Sequence, residues 1–301
     1  MKKYVIYTVM AGKYGEVRQP LCIDQRFDYV LYSNDFQESL IGVWQVRPIP
    51  VPPAIDAADN KRLSRYPKTH PETMLAEYEA SLYIDANIQI VDQWVYERVV
   101  ELNEQGVDYA GVKLHVTGRD CIYRHAYDMC LWGVEHDYVA IRQMHHMYKE
   151  GFPEHFGMNE NNVIFRRHNE RMKKVDEMWW QQIVQYSFRD QFSYMFCLWK
   201  NEIPKVYFLP EDTDARCSVH FKLTQHDGNE HVKKQKFLNV GFFEYMRNQC
   251  RKLSSFHRKL YREQWLLFIK MPLSQIWLIT FGILSSIIWS PVICVKWLKA
   301  I

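Results

Sequence analysis

A short apolar run, Ser81 to Ile84, stops abruptly at Asp85 and Asn87, and a second apolar pair, Ile88 and Ile90, follows. Such a run reads as a buried strand that delivers an acid and an amide to its carboxyl end. This placement constrains the fold most, because open α/β sheets bind ligands in the crevice beyond their strand ends. A carboxylate oxygen and an amide oxygen two residues apart can share one divalent cation and present it to a phosphate. Asp and Asn also favour turns, so a strand followed by a plain turn accounts for the same residues.

The flanking chain decides what surrounds that strand. Tyr4-Val5-Ile6-Tyr7-Thr8-Val9 is β-branched and aromatic and predicts a first buried strand. The loop Ala11-Gly12-Lys13-Tyr14-Gly15 offers backbone N–H groups to a nucleotide at the strand end, although no G-x-G-x-x-G is present. Residues 28–32 and 43–46 predict two more strands, the second ended by Pro48, Pro50, Pro52 and Pro53. Residues 57–70 form a polar, basic helical piece with Arg62, Arg65 and Lys68, either a solvated face or a cluster that meets a pyrophosphate. Residues 91–103 read as a helix and 109–115 as a strand. Alternation of this kind favours a layered α/β domain with a largely parallel sheet.

Farther on, Asp120 suits the N-cap or first turn of a helix running towards Trp132. Residues 138–149 and 170–186 read as helices, and 163–166 as a strand. Residues 211–236 read as loops or a short hairpin. The spacings of His220, His226 and His231 there, six and five, fit no compact metal motif.

Composition enters where the partners are concerned. A net charge of +3 on 301 residues lacks the concentrated basic surface that nucleic acid requires. Seven cysteines with no Cys-x-x-Cys pair suit a reducing cytosol better than a disulfide framework or zinc motif. Basic residues cluster between His231 and Arg262, and residues 271–295 carry no charge at all. A hydrocarbon core needs about 20 apolar residues, so this tail is expected to span a membrane or lie in its interface, with a buried helix as the alternative. The basic segment before it predicts a body on the cytoplasmic face of the membrane. The expected organisation is a domain over 1–235, a basic amphipathic helical segment over 236–270, and an apolar membrane anchor over 271–301.

Three groups could come together: Asp85 with Asn87; His115 with Arg119 and Asp120; and Trp179, Trp180, Arg189, Asp190 and Gln191. Each has a plainer account, as a turn, a local ion pair or core packing. Their order along the chain is more specific than any one of them. With Asp28-Tyr-Val-Leu-Tyr-Ser-Asn-Asp35, the Arg62/Arg65/Lys68/His70 segment, Glu77 to Asn87, Arg119-Asp-Cys-Ile-Tyr123, Gly157-Met158 with residues 162–169, and Ser187-Phe-Arg-Asp-Gln-Phe-Ser193, the chain resembles a known family. It is the glycosyltransferase-like family first catalogued as a domain of unknown function, found in bacterial polysaccharide-biosynthesis loci and plant mucilage and pollen proteins. The resemblance spans most of residues 3–200. It departs at Arg124 and His125, where the family leads one to expect acids.

The resemblance implies a GT-A-like, Rossmann-like α/β fold, with a mixed, mostly parallel sheet flanked by helices and a C-terminal helical membrane-associated extension, and a hexosyltransferase-type enzyme using a nucleotide-diphosphosugar donor. Asp85 and Asn87 then hold a divalent metal, Mn²⁺ or Mg²⁺, at the leaving diphosphate, though an amide in place of a second acid weakens that site. Arg62, Arg65, Lys68, His115, Arg119 and Asp120 are the expected donor-binding residues. Asp190 is the expected proton acceptor, with Arg189 orienting it or binding an acidic acceptor. Trp179 or Trp180 is placed to stack on a sugar face. The acceptor is a surface polysaccharide or lipid-linked glycan. Two other readings stand beside this one: a non-catalytic, membrane-tethered nucleotide- or glycan-binding scaffold, and a nucleotidyl or phosphoryl transferase on a similar sheet.

Overall fold

The computed structural model describes residues 3–12, 15–53, 55–114, 119–210 and 213–224, with residues 262, 263, 266, 269 and 270. His115, the boundary at 235 and the tail 271–301 lie outside the described residues. Two compact units are present, Met1–Asp120 with Gly157–His231, and Cys121–Phe156 with Val232–Ile301.

The first unit is built on a seven-stranded sheet. Its strands are β1 (Tyr4–Met10), β2 (Phe27–Ser33), β3 (Leu40–Ile41), β4 (Trp44–Arg47), β5 (Ala80–Ile84), β7 (Tyr109–Lys113) and β8 (Asn159–Arg167), in the order β3-β4-β2-β1-β5-β8-β7. The short strands β6 (Ile88–Ile90) and β9 (Phe221–Leu223) pair separately. Thus the stretch 211–224, expected as loops or a hairpin, sends one strand back to the segment after Asp85, with Ile88 opposite Leu223.

The sheet is mixed and flanked by helices, as expected, but only half of its strand pairs are parallel. β1 pairs in parallel with β2 and β5, and β2 with β4, whereas β3–β4, β5–β8 and β7–β8 are antiparallel. The reason lies in the connection. The chain leaves β7 at Lys113 and returns opposite the same residue at Asn159, and Leu114 N–H donates to the Met158 carbonyl at 2.8 Å. A strand re-entering where its neighbour ended must run backwards.

Every residue of β1 and β5 is buried, as expected for central strands covered on both faces. One face carries Ile6, Leu31, Leu82, Ala110 and Phe165 in a core that includes Val95, Tyr96, Val99 and Leu102 of helix α3, where α1 is Asn60–Leu63, α2 Pro71–Met74 and α3 Trp94–Glu104. Burying each such aliphatic side chain stabilises the fold by about 1.5–3 kcal/mol. The other face points Tyr7, Tyr109 and Arg166 at α6 (Glu170–Gln185) and α7 (Tyr194–Lys200), through Arg166–Asp176 and Tyr109–Tyr194 contacts. Asn169 caps α6 by accepting from Met172 N–H.

The second unit contains α4 (Ile122–Leu131) and α5 (Asp137–Lys149). Cys121, not Asp120, is the N-cap of α4. Asp120 instead uses its backbone carbonyl, which accepts from Gly157 N–H at 2.8 Å. Among the described residues no helix is long and apolar enough to cross a membrane.

Candidate active site

The chain runs outward from β1 through β2 to β4, then returns to the other side of β1 as β5. Connections on the two sides of β1 therefore diverge, leaving a crevice beyond the carboxyl ends of β1 and β5. A cavity of about 310 Å³ lies there, within the usual size for a small-molecule site. Val9, Met10 and Ala11 line it from β1, and Tyr83, Asp85 and Ala86 from β5. Ser64, Arg65 and Lys68 close it from the basic segment, and Glu160, Arg189, Asp190 and Gln191 complete it. The next residue after Ala11, Gly12, has φ +93 and sits against the Asn60 side chain, a conformation and a proximity that favour glycine.

Lys68 is the centre of the charge arrangement. Although only 2% exposed, its ammonium donates to Asp190 Oδ2 at 2.5 Å and lies 3.7 Å from Asp85 Oδ1. It also stands 4.5 Å from the centroid of the Tyr83 ring, whose hydroxyl donates to Asp85 Oδ1 at 2.7 Å. Arg65 Nε approaches Asp190 Oδ2 at 3.6 Å. Burial pushes the Asp190 carboxyl up, but the charges of Lys68 and Arg65 outweigh it and hold the group below the usual carboxylate range. Asp190 is thereby a stable anion and a weak base.

A buried scaffold fixes Lys68 from behind. Arg166 of β8 is fully buried. It donates to the Lys68 carbonyl at 2.7 Å and to Tyr7 Oη, and pairs with Asp176 of α6 at 2.6 Å. The Asp190 backbone is held in turn by Trp179, whose Nε1–H donates to the Asp190 carbonyl at 3.0 Å. Trp179 is fully buried and stacked on Tyr194 at 3.8 Å. It cannot meet a sugar; Trp180 contacts Tyr66 and His70 instead.

Other expected site residues are placed elsewhere. Arg62 pairs with Asp59 at 2.9 Å and donates to the carbonyls of Ile183 and Tyr186. Arg119 and Asp120 do not line the cavity, and His115 lies outside the described residues. Asn87 does not line the cavity either. Its side-chain N–H donates to the Thr224 carbonyl at 3.2 Å, and its own carbonyl accepts from Thr224 N–H at 2.9 Å. For a divalent cation, Asp85 fits as a donor: it faces the cavity with its side chain 40% exposed, and only Oδ1 is engaged by Tyr83. One carboxylate suits a hydrated Mg²⁺-type ion that takes further oxygens from a bound phosphate.

Glu160 is the site residue that sequence reading missed. It opens β8 as a buried carboxyl, accepting from Arg216 at 2.5 Å and Asn162 at 2.8 Å. Burial pushes it above the ordinary range, against the pull of Arg216. Gln191 holds the Glu160 carbonyl at 2.9 Å. The only signal was a polar run, Asn159 to Asn162, placed at the start of a strand that is otherwise apolar.

No protein-family model matches the chain, and no curated protein matches it. Among solved structures, apo mouse xyloside xylosyltransferase 1 is similar at 12% identity and a TM-score of 0.38, over 68% of this chain and 83% of that one. The mannosyltransferase Ktr4p of S. cerevisiae is similar at 11% identity and a TM-score of 0.34, over 62% of each chain. Likenesses of this extent leave the functional reading to the geometry of the cleft.

Proposed function

We propose that the protein is a glycosyltransferase of GT-A type that moves a sugar from a nucleoside-diphosphate sugar to a hydroxyl of a glycan acceptor. The observation that carries this reading is the switch-point cavity in which Arg65, Lys68 and Arg189 gather around Asp85 and Asp190. A departing nucleoside diphosphate develops negative charge, and preorganised cations in a partly dry cleft stabilise it. A Mn²⁺ or Mg²⁺ ion bound at Asp85 would supply further neutralisation of that charge.

The chain's own groups divide the work. Lys68 and Arg65 face the diphosphate, kept in place by Asp190 and by the Arg166 scaffold. Arg189 adds a third cation at the cavity wall. Asp190 serves as the anionic anchor of this cluster. Glu160, whose burial raises it towards neutrality, is the better-matched proton acceptor for an incoming hydroxyl. The acceptor we assign is a surface polysaccharide or lipid-linked glycan. The basic segment 236–270 and the apolar tail 271–301 would hold the enzyme at the cytoplasmic face of a membrane, a reading that rests on their sequence alone.

The test is turnover by purified full-length protein against a panel of nucleotide sugars with Mn²⁺ or Mg²⁺. Release of free nucleoside diphosphate, abolished by Asp85→Asn, is the expected result. One observation favours another reading, a scaffold that binds nucleotide without turnover: both Glu160 carboxylate oxygens are engaged, by Arg216 at 2.5 Å and by Asn162 at 2.8 Å, and Asp190 is tied to Lys68. Thermal stabilisation by nucleotide with no product across the panel would support that reading. Release of pyrophosphate would point to nucleotidyl transfer.

A further inference from the structure

The second unit carries a group of side chains that the cleft chemistry does not use. Cys121 Sγ, a Glu154 carboxylate oxygen and a His155 ring nitrogen all lie within 4.8 Å of one another. We propose that Cys121, Glu154 and His155 form a binding site for a borderline-soft divalent cation of the zinc type, with the fourth position open to solvent.

The donor set selects the ion. Thiolate and imidazole favour Zn²⁺ or Co²⁺ over the hard Mg²⁺ and Mn²⁺, which prefer oxygen. A tetrahedral zinc ion holds such donors about 3.3–3.6 Å apart, so the three need close in by only about an ångström.

Each arm is already held. Cys121 is buried, free of any disulfide, and N-caps the ten-residue helix α4 without a side-chain capping bond. The turn that bears Glu154 and His155 is tied to α4, because Tyr123 Oη donates to the Phe152 carbonyl at 2.7 Å. Phe152 N–H donates to Met147 of α5 at 3.0 Å, and the Phe152 and Phe156 rings pack at 5.3 Å. Glu154 Oε1 accepts from Lys270 at 2.8 Å. That contact leaves Oε2 to the metal and orients the carboxylate in the way outer-shell partners commonly do.

The backbone supplies an independent observation. His155 has φ +60, one of three non-glycine residues with positive φ among those described. Such a conformation costs of order 1–3 kcal/mol outside glycine. A glycine would hold the turn at less cost, and a ligand role accounts for a histidine there. Glu154 and His155 are exposed, so an ion has an entry path.

The experiment is titration of the reduced full chain with Co²⁺, read by the thiolate-to-cobalt charge-transfer band, and with Zn²⁺, read by thermal unfolding. We expect one equivalent to produce the band and Zn²⁺ to raise the unfolding temperature by linkage. Cys121→Ser should abolish the band. His155→Gly removes a ligand while relieving the positive φ, so it should fold at least as well as the parent without metal and yet lose the zinc-dependent rise. Absence of the band in the parent, or a band and zinc shift that survive either substitution unchanged, would overturn the site.

Discussion

Lys68 and Asp190 meet at 2.5 Å in a pair whose side chains are only 3% and 12% exposed. The same ammonium lies 3.7 Å from Asp85. One buried cation thus joins the carboxylate at the end of β5 to the short turn after α6. Replacing Lys68 by Met would leave Asp190 charged and poorly solvated, which typically costs about 3–5 kcal/mol. Lys68→Met is therefore expected to lower the urea midpoint sharply and to abolish nucleotide-diphosphate binding. Asp190→Asn keeps Asp85 beside Lys68 and should cost less stability. Equal losses in the two variants would contradict this asymmetry.

The three carboxylates of the cavity should separate kinetically. Asp85→Asn is expected to abolish donor turnover while leaving the unfolding midpoint near that of the parent, since Asp85 is half-exposed. Glu160→Gln should lower kcat by about 10²–10⁴, the usual worth of a general base, with the nucleotide affinity retained. If Asp190→Asn instead shows the kcat loss and Glu160→Gln does not, the proton acceptor is Asp190.

His168 makes stability depend on pH. Its Nδ1–H donates to the Tyr78 carbonyl at 3.0 Å, and Nε2 accepts from the Ser81 hydroxyl at 2.8 Å, as a neutral ring requires. Burial, with the charge of Arg166, pushes its pKa down from 6.5 to about 4. Between those values the unfolded chain binds a proton that the folded chain does not, so stability falls as pH drops through the window. The contribution is full above the unfolded value and amounts to roughly 3 kcal/mol. His168→Gln should flatten the pH dependence of the denaturation midpoint between about pH 7 and pH 4. An unchanged slope would show that His168 is not the titrating group.

Glu72 and Asp176 should respond differently to neutralisation. Burial and the neighbouring Asp176 charge push Glu72 well up, so it carries the proton of the pair, while Asp176 pairs with Arg166 at 2.6 Å. Glu72→Gln replaces a neutral carboxyl by a neutral amide of the same shape and is expected to cost much less stability than the loss of Asp176. Asp176→Ala strands a fully buried guanidinium and should cost about 3–5 kcal/mol. Because Arg166 also holds the Lys68 carbonyl, this variant should weaken nucleotide binding as well. Calorimetric titration with nucleoside diphosphate, beside the unfolding curves, checks both.

Much of the frame was legible because local chemistry dictates it. The β-branched and aromatic run at Tyr4 to Val9 became β1, the run ending at Ile84 became β5, and the periodicity after Asn169 became α6, each close to its expected bounds. The basic residues Arg65 and Lys68 and the acid Asp85 were likewise visible as an unusual polar cluster between buried strands. Asn87 was not, because its role depends on β9. A strand more than 130 residues away draws the Asn87 amide to Thr224, and no local pattern encodes that pairing. The tryptophans misled for the same reason. Exposure is a property of the packed layers, and α6 turns Trp179 fully inward onto Tyr194.

The sequence by itself determined that an acid would follow strand β5, that a glycine loop would follow β1, and that a basic segment would precede β5 in the chain. These follow from residue preferences and from the burial that apolar runs demand. Only the tertiary structure decided that the sheet reverses at β8, since the chain re-enters opposite Lys113. Only it brought Glu160 and Asp190 to the same cavity as Asp85. It also set the two carboxyls apart: Asp190 lies against Lys68 and is held below the usual range, while burial pushes Glu160 above it. A carboxyl's proton affinity is set by the charges and the solvent around it, and those are known only when distant segments have met.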